Sequence, residues 1–250
     1  MRSQASGSHY SSDGDLPLIP GIDGIGRTTR GELRYFLLPD TNRGSMAERV
    51  AIDPRRSIAV PRNADAVQLA AAMNPVMSSW VALRHRAQLK RGQKVLVLGA
   101  DGNAGRLALQ VATRLGAGET VAIHKGEAVG DRGRDADIVL DYLWGDPTAA
   151  AMRDIVPSRR NDAQQLTWVQ IGSVAGLESP IPSAALRATN LRLVGSGQGS
   201  VDPGDIKREL TQIAQDVTKG RFDLDARAVP LSDVAEVWNE RTRDRIVLVP

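Results

Sequence analysis

Gly99, Gly102 and Gly105 stand three residues apart, behind the aliphatic run 95–98 and ahead of an amphipathic stretch with Leu107, Ala108, Val111, Ala112 and Leu115 on one helical face. Strand, tight glycine turn and helix, in that order, form the phosphate-binding start of a dinucleotide-binding βαβ unit. The chemistry demands glycine because backbone must come close to a pyrophosphate. The helix must also begin with free N–H groups and the positive end of its dipole aimed at the anion. A glycine triplet alone also fits an ordinary strand–helix turn; the good strand before it and the good helix after it favour the nucleotide.

The end of the next strand bears on which nucleotide. An NAD-selective site carries an acidic residue about twenty positions past the glycines, on the ribose 2′-hydroxyl. This chain has Ile123-His-Lys-Gly126 there, with no carboxylate and with a cation that can pair with a 2′-phosphate. His124 and Lys125 thus favour NADP; the alternatives are that they merely end a strand at the surface, and that nearby Glu127 keeps NAD open. Further on, Asp141-Tyr-Leu-Trp-Gly145 falls at the C-terminal end of a parallel strand, where doubly wound folds bind ligands, although Trp144 can equally cap the core.

Composition removes other chemistries. The chain has 250 residues, of which 42% are hydrophobic, enough for one large or two modest domains with a core. Cysteine is absent, which excludes disulfides, thiolate catalysis and Cys-ligated zinc. The three histidines, His9, His85 and His124, show no metal-ligand spacing, so no metal is expected. A formal net charge of +3 comes from scattered basic pairs such as Arg55-Arg56 rather than a stripe, so no nucleic-acid partner is expected. No apolar run of 18 residues is evident, and the polar N-terminus lacks the apolar core of a secretory signal. A cytoplasmic protein without a membrane partner is the expectation.

The elements that must position these groups can be read from periodicity. Residues 1–60 read as turns and short strands, with strand candidates at 33–38, 46–52 and 57–60. Alanine-rich 64–73 reads as a helix, with Pro75 restarting a second one. Strands are expected at 120–123, 137–140, 166–171 and 191–194, and helices at 148–153 and 206–217. The tail offers a strand at 227–229, a helix from Ser232 as N-cap through Val237, and a last strand at 245–249. Strands alternating with helices imply an α/β fold with a doubly wound parallel sheet.

In order along the chain, Pro20-Gly-Ile-Asp-Gly-Ile-Gly26, Gly44-Ser-Met-Ala-Glu48, Asn74-Pro-Val-Met-Ser-Ser-Trp80, Lys90-Arg-Gly-Gln-Lys-Val-Leu-Val97, the glycine turn and Ile171-Gly-Ser-Val-Ala-Gly176 resemble the medium-chain dehydrogenase/reductase superfamily. The likeness is to its zinc-independent quinone-oxidoreductase-like branch. It implies a GroES-like substrate domain (residues 1–73, with 221–250 returning to it), a Rossmann domain (74–220), and a cleft between them. It further implies that Ala100, Gly102, Asn103, Ala104 and Gly105 cradle the pyrophosphate and that Ser78 stands near the nicotinamide. Gly172, Ser173, Gly195, Ser196 and Gly197 would line the nicotinamide side. For Ser78 and Ser79, small-residue helix packing is an equal alternative.

Two departures from the family pattern stand out. The family has further barrel strands ahead of the point where this sequence starts, so the substrate barrel is expected to be partial. Between the second and third Rossmann strands, residues 125–134 leave room for only a minimal crossover, so the sheet's edge strand and its helix are expected to be missing. The resemblance implies hydride transfer from NADP(H) to a quinone, enone or similar carbonyl compound already electrophilic without zinc. Tyr10, adjoining His9, is the phenol available as proton donor, unless both are exposed terminal residues. The competing expectation is a catalytically impaired relative that only binds nucleotide or a partner. A redox-sensing regulator is a third reading, disfavoured by a glycine motif that follows a GroES-like segment. A homodimer through the strand at 191–194 is expected, since an incomplete barrel leaves edges and apolar surface to cover.

Overall fold

The aliphatic runs become strands and their spacing sets two groups of elements. The computed structural model describes residues 2–7, 17–38 and 42–250, with side chains from Gln4 onward. In chain order these are α1 (Arg2–Ala5), β1 (Asp23–Arg27), β2 (Leu33–Leu37), β3 (Ser57–Ala59), α2 (Ala66–Val81), β4 (Lys94–Leu98), α3 (Asn103–Arg114), β5 (Glu119–Ile123), β6 (Ile138–Asp141), α4 (Gly145–Ser158), β7 (Leu166–Gln170), α5 (Ala185–Ala188), β8 (Leu191–Gly195), α6 (Pro203–Thr218), β9 (Ala226–Pro230), α7 (Val234–Val237) and β10 (Arg245–Val249). Contacts cluster residues 1–74 and 203–250 into one unit and residues 75–202 into another.

In the first unit β1, β2 and β3 form an antiparallel sheet, and β9 pairs with β10 in parallel. Tyr35 is wholly buried and its phenol donates to Asp23 Oδ2 at 3.0 Å. Burial raises the Asp23 carboxyl above its usual range, against the pull of the Tyr35 hydrogen bond and the Arg245 charge.

The second unit holds a five-stranded parallel sheet of order β5-β4-β6-β7-β8. Alternate residues of the three inner strands, β4, β6 and β7, face opposite sides, and both sets are buried. Leu96, Leu98, Val139 and Trp168 pack with Met152 and Ile155 of α4, while Val95, Val97, Leu140 and Val169 are buried too. β5 is the edge strand, joined to β6 through one short 3₁₀ turn at Gly130–Gly133, which is the minimal crossover expected. The strand ends lie in register: Ile123 and Asp141 flank Leu98, Gln170 pairs with Asp141, and Gly195 with Gln170. One row of C-terminal ends therefore carries every loop that a nucleotide can reach on this sheet.

Four local expectations are corrected. Residues 46–52 form no strand; bends and irregular backbone occupy them. Pro75 does not restart a helix but lies inside α2, which runs on into a π-helical turn at Ala82–Ala87. Proline lacks the N–H to bond back along the helix, yet the burial of Leu69, Met73, Val76, Trp80 and Leu83 holds the helix through it. Ser232 is not an N-cap, because a 3₁₀ turn at Leu231–Asp233 precedes the short α7. By length and composition the span Ala66–Ala87 does qualify as a membrane helix, against the expectation that no run would; 61% of its most apolar window is buried, as in a core helix.

Candidate functional site

The glycines of the turn differ in what the fold asks of them. Gly105 sits where α3 crosses β4, and a Cβ there would overlap Gly99 O and lie 2.9 Å from the Ala100 Cα, so strand and helix pack only around a bare backbone. Gly102 differs. Its φ of −75° and ψ of 157° suit any residue, and a Cβ would meet nothing closer than Gly99 O at 3.9 Å. Nothing in the fold itself asks for glycine at 102.

Gly102 is the N-cap of α3, and Arg106 N makes the first backbone bond of the helix, to Gly102 O at 2.9 Å. The N–H groups of the opening turn, at Asn103, Ala104 and Gly105, therefore point out of the helix without backbone partners. No acidic residue stands in that turn, and the Arg106 guanidinium holds Asn103 Oδ1, so the local field favours an anion. Ala100 is buried and its N–H is committed to Ile123 O at 3.2 Å, as is that of Gly99 at 3.0 Å. Ala100 therefore ties the turn to the end of β5, with its amide already used.

His124 and Lys125 follow β5 and are exposed. Between them and the glycine turn stands Asp101. Its Oδ1 is 2.7 Å from His124 Nδ1 and its Oδ2 accepts the Lys125 amide at 2.7 Å. Those bonds, the Lys125 amide first, hold the Asp101 carboxyl below its usual range. Glu127 accepts the His124 amide at 2.9 Å and pairs with Arg132 at 2.7 Å. Acidic and basic groups thus alternate beyond the end of β5, and Asp101 is a residue of this cluster that the sequence did not single out. The signal available was an acid inside a glycine turn.

Ser78 lies on α2, half-buried, with its Oγ 2.8 Å from Pro75 O and 3.1 Å from the phenol of Tyr142. Tyr142 follows β6, inside the segment 141–145 that the sequence marks as a ligand-binding strand end, but no role for its phenol was legible there. Burial pushes its phenol up to about 12, against the lowering hydrogen bonds of Ser78 and Ser79. It is a neutral hydroxyl at any physiological pH. Gly172 packs against it, since a Cβ there would lie 2.7 Å from Tyr142 O.

Ser173 is exposed in the loop after β7. Beyond β8, Arg86 of the π-turn donates to Gly195 O at 2.7 Å and Ser200 O at 3.2 Å, while Ser196 N donates to Gln170 O at 2.8 Å and Gly197 N to Ser200 Oγ at 2.8 Å. All the expected nucleotide-contact positions after β4 thus lie on or next to the row of strand ends. Tyr10 and His9 lie outside the described residues. Among the described residues no group of three or more His, Asp or Glu is gathered as metal ligands. A cavity of about 390 Å³ in the first unit, lined by Asp65, Gln68, Phe222 and Asp223, shares no residue with the glycine turn.

No protein-family model matches the chain. Among curated proteins it is 26% identical, over 317 residues, to a probable NADPH-dependent quinone reductase, tdiC, of Emericella nidulans, the match taking in 100% of this chain and 88% of the relative. Among solved structures, the quinone oxidoreductase of Thermus thermophilus, solved alone and with NADPH, superposes with a TM-score of 0.72 at 22% identity, covering 95% of this chain and 81% of its own. An alcohol dehydrogenase superfamily protein of Novosphingobium aromaticivorans gives 0.76 at 20% identity, covering 97% and 84%. The curated relative is thus named a probable quinone reductase, and the likeness to the solved structures shows that this chain has their fold.

Proposed function

We propose that this chain is an NADPH-dependent oxidoreductase that reduces a quinone, enone or similar carbonyl acceptor without a metal. The observation that carries the reading is Gly102: a residue with ordinary backbone angles and open space above it, at the start of a helix with unpaired N–H groups. The naming of the full-length relative as an NADPH-dependent quinone reductase points the same way. When bound, NADPH supplies the hydride.

The chain's own residues then have distinct tasks. The amides of Asn103, Ala104 and Gly105 bind the pyrophosphate, with the α3 dipole behind them. Lys125 pairs with the 2′-phosphate, with His124 beside it. Asp101 fixes the β5 loop and keeps its own negative charge beside them. Gly172, Ser173 and the turn Gly195–Ser196–Gly197 border the reacting end of the cofactor on the ends of β7 and β8. Tyr142 and Ser78, hydrogen-bonded to each other, hold a neutral hydroxyl pair at the end of β6. Ser78 keeps one bond to Pro75 O, so this pair orients a polar group rather than releasing a proton freely. With no cysteine in the chain, zinc polarisation by a Cys-containing ligand set is not available, and the acceptor must be electrophilic on its own. Quinones and enones meet that condition.

Following NADPH absorbance with menadione as acceptor tests the reading. Acceptor-dependent oxidation, preferring NADPH to NADH, is expected. A second reading, nucleotide binding without turnover, draws on the short β5–β6 connection, which leaves the adenosine side of the sheet with one 3₁₀ turn. NADPH binding with no acceptor-dependent oxidation would select it.

A further inference from the structure

Among the described residues, two that are not glycine have a positive φ. Gln88 (φ 56°, ψ 52°) ends the π-turn in the ordinary left-handed region. Trp144 is the other, and with φ 57° and ψ −167° it holds a conformation that is nearly the preserve of glycine. It lies just past the end of β6, two residues beyond Tyr142, in the row of strand ends that carries the nucleotide loops.

The surroundings impose that conformation. Trp144 N donates to Asp141 Oδ1 at 3.0 Å, beside Leu143 N at 2.9 Å. Asp141 is wholly buried, and its other oxygen accepts Thr148 Oγ1 at 2.5 Å and Trp168 Nε1 at 2.9 Å. The next residue, Gly145, also has a positive φ, and a Cβ there would lie 2.9 Å from Ala175 O. The path of the chain is thus fixed from both sides. A glycine at 144 would follow it without strain, yet the largest side chain stands there.

Core burial does not repay the strain. Trp80 and Trp168 are buried at 3% and 0% exposure, whereas Trp144 is only half-buried. The loop after β7 is tied to the same turn by Ala175 N to Leu143 O at 2.8 Å, and it exposes the apolar side chains of Val174 and Leu177 at 83% and 73%. An aromatic face and two aliphatic groups at the carboxyl edge of a parallel sheet suit a flat, apolar ligand.

We infer that Trp144 is a specificity-determining residue whose indole takes a planar, fused-ring acceptor by stacking; this rests on the reductase reading above. The test compares wild type with Trp144→Gly and Trp144→Phe. Equilibrium dialysis against menadione (two fused rings) and duroquinone (one ring), with NADP⁺ present, reads acceptor affinity without turnover. Thermal unfolding and an NADPH titration are run on the same proteins. Trp144→Gly should weaken menadione at least tenfold, and duroquinone less than threefold. Its Tm should be equal or higher because the strain is relieved, and its NADPH affinity unchanged. Trp144→Phe should keep most of the menadione affinity. Equal menadione affinity in wild type and Trp144→Gly would overturn the inference, as would parallel losses for both quinones with a lowered Tm, which is the mark of a core residue. If wild type fails to bind NADPH, the reductase reading falls first. If it binds and oxidises NADPH but Trp144→Gly is indifferent to ring number, only the role of Trp144 is lost.

Discussion

Asp101 Oδ1 lies 2.7 Å from Nδ1 of His124, so the glycine turn carries an anion of its own into the group that should meet a 2′-phosphate. The carboxylate is held charged by the Lys125 amide and by His124. Asp101→Asn keeps an acceptor for that amide and removes the charge. NADPH should then bind about two- to fivefold more tightly, the effect expected of one exposed like charge nearby, and NADH should change little. Fluorescence titrations at low and at 0.5 M salt check this, with the gain shrinking in salt. Weaker NADH binding would instead make Asp101 a ribose ligand.

Lys125 is exposed beyond the end of β5, and in the proposed reading its ammonium pairs with a 2′-phosphate. Lys125→Ala is expected to weaken NADPH about five- to tenfold, on the scale of a charge-assisted contact at a surface, and to leave NADH nearly unchanged. Equal losses for both cofactors would remove Lys125 as the discriminating group.

Tyr142 predicts a pH effect on stability. Its phenol titrates at about 12 in the fold, above the ordinary value of 10.0. The neutral form is therefore favoured by folding, and the stability this gives is present below pH 10. It is lost as the pH rises through that value toward 12, because the unfolded chain ionises first. Burial raises the Tyr35 phenol as well, so part of the loss belongs to it. Urea midpoints at pH 8 and pH 11 should differ more in wild type than in Tyr142→Phe. At pH 8 the variant should be about 1 kcal/mol less stable, through loss of the Ser78 bond.

β8 is the outer strand of the parallel sheet, and Leu193 is exposed on it at 36%. An open strand edge with apolar side chains is a pairing surface. A homodimer through β8 is expected, and Leu193→Lys should give a monomer with an unchanged NADPH affinity. Sedimentation velocity on both proteins checks this; a wild-type monomer would exclude it.

Much of the parallel sheet was legible because β4, β6 and β8 are short aliphatic runs ended by Gly or Asp, and Val95, Val139 and Val194 sit inside them. The missing edge strand was legible by counting, since residues 125–134 cannot hold a full crossover. Residues 46–52 were misread because alternation alone does not supply a pairing partner. Pro75 was misread because burial on both sides of it outweighs one lost hydrogen bond. Asp101 and His124 are 23 residues apart, and their meeting depends on the β4–β5 register. The strain at Trp144 has no sequence signal, because a tryptophan conceals a backbone conformation that a glycine would announce.

The glycine turn is the centre of the account, and Gly102→Val probes it most directly. The fold accommodates a side chain there, with Gly99 O at 3.9 Å the nearest atom, so stability should fall by no more than about 1 kcal/mol, the cost of a poorer N-cap. Calorimetric titration with NADPH should show binding by the wild type and a loss of at least a hundredfold in the variant, with the two proteins equally folded. Equal affinity in both would contradict nucleotide binding at the start of α3, and with it the proposed reductase.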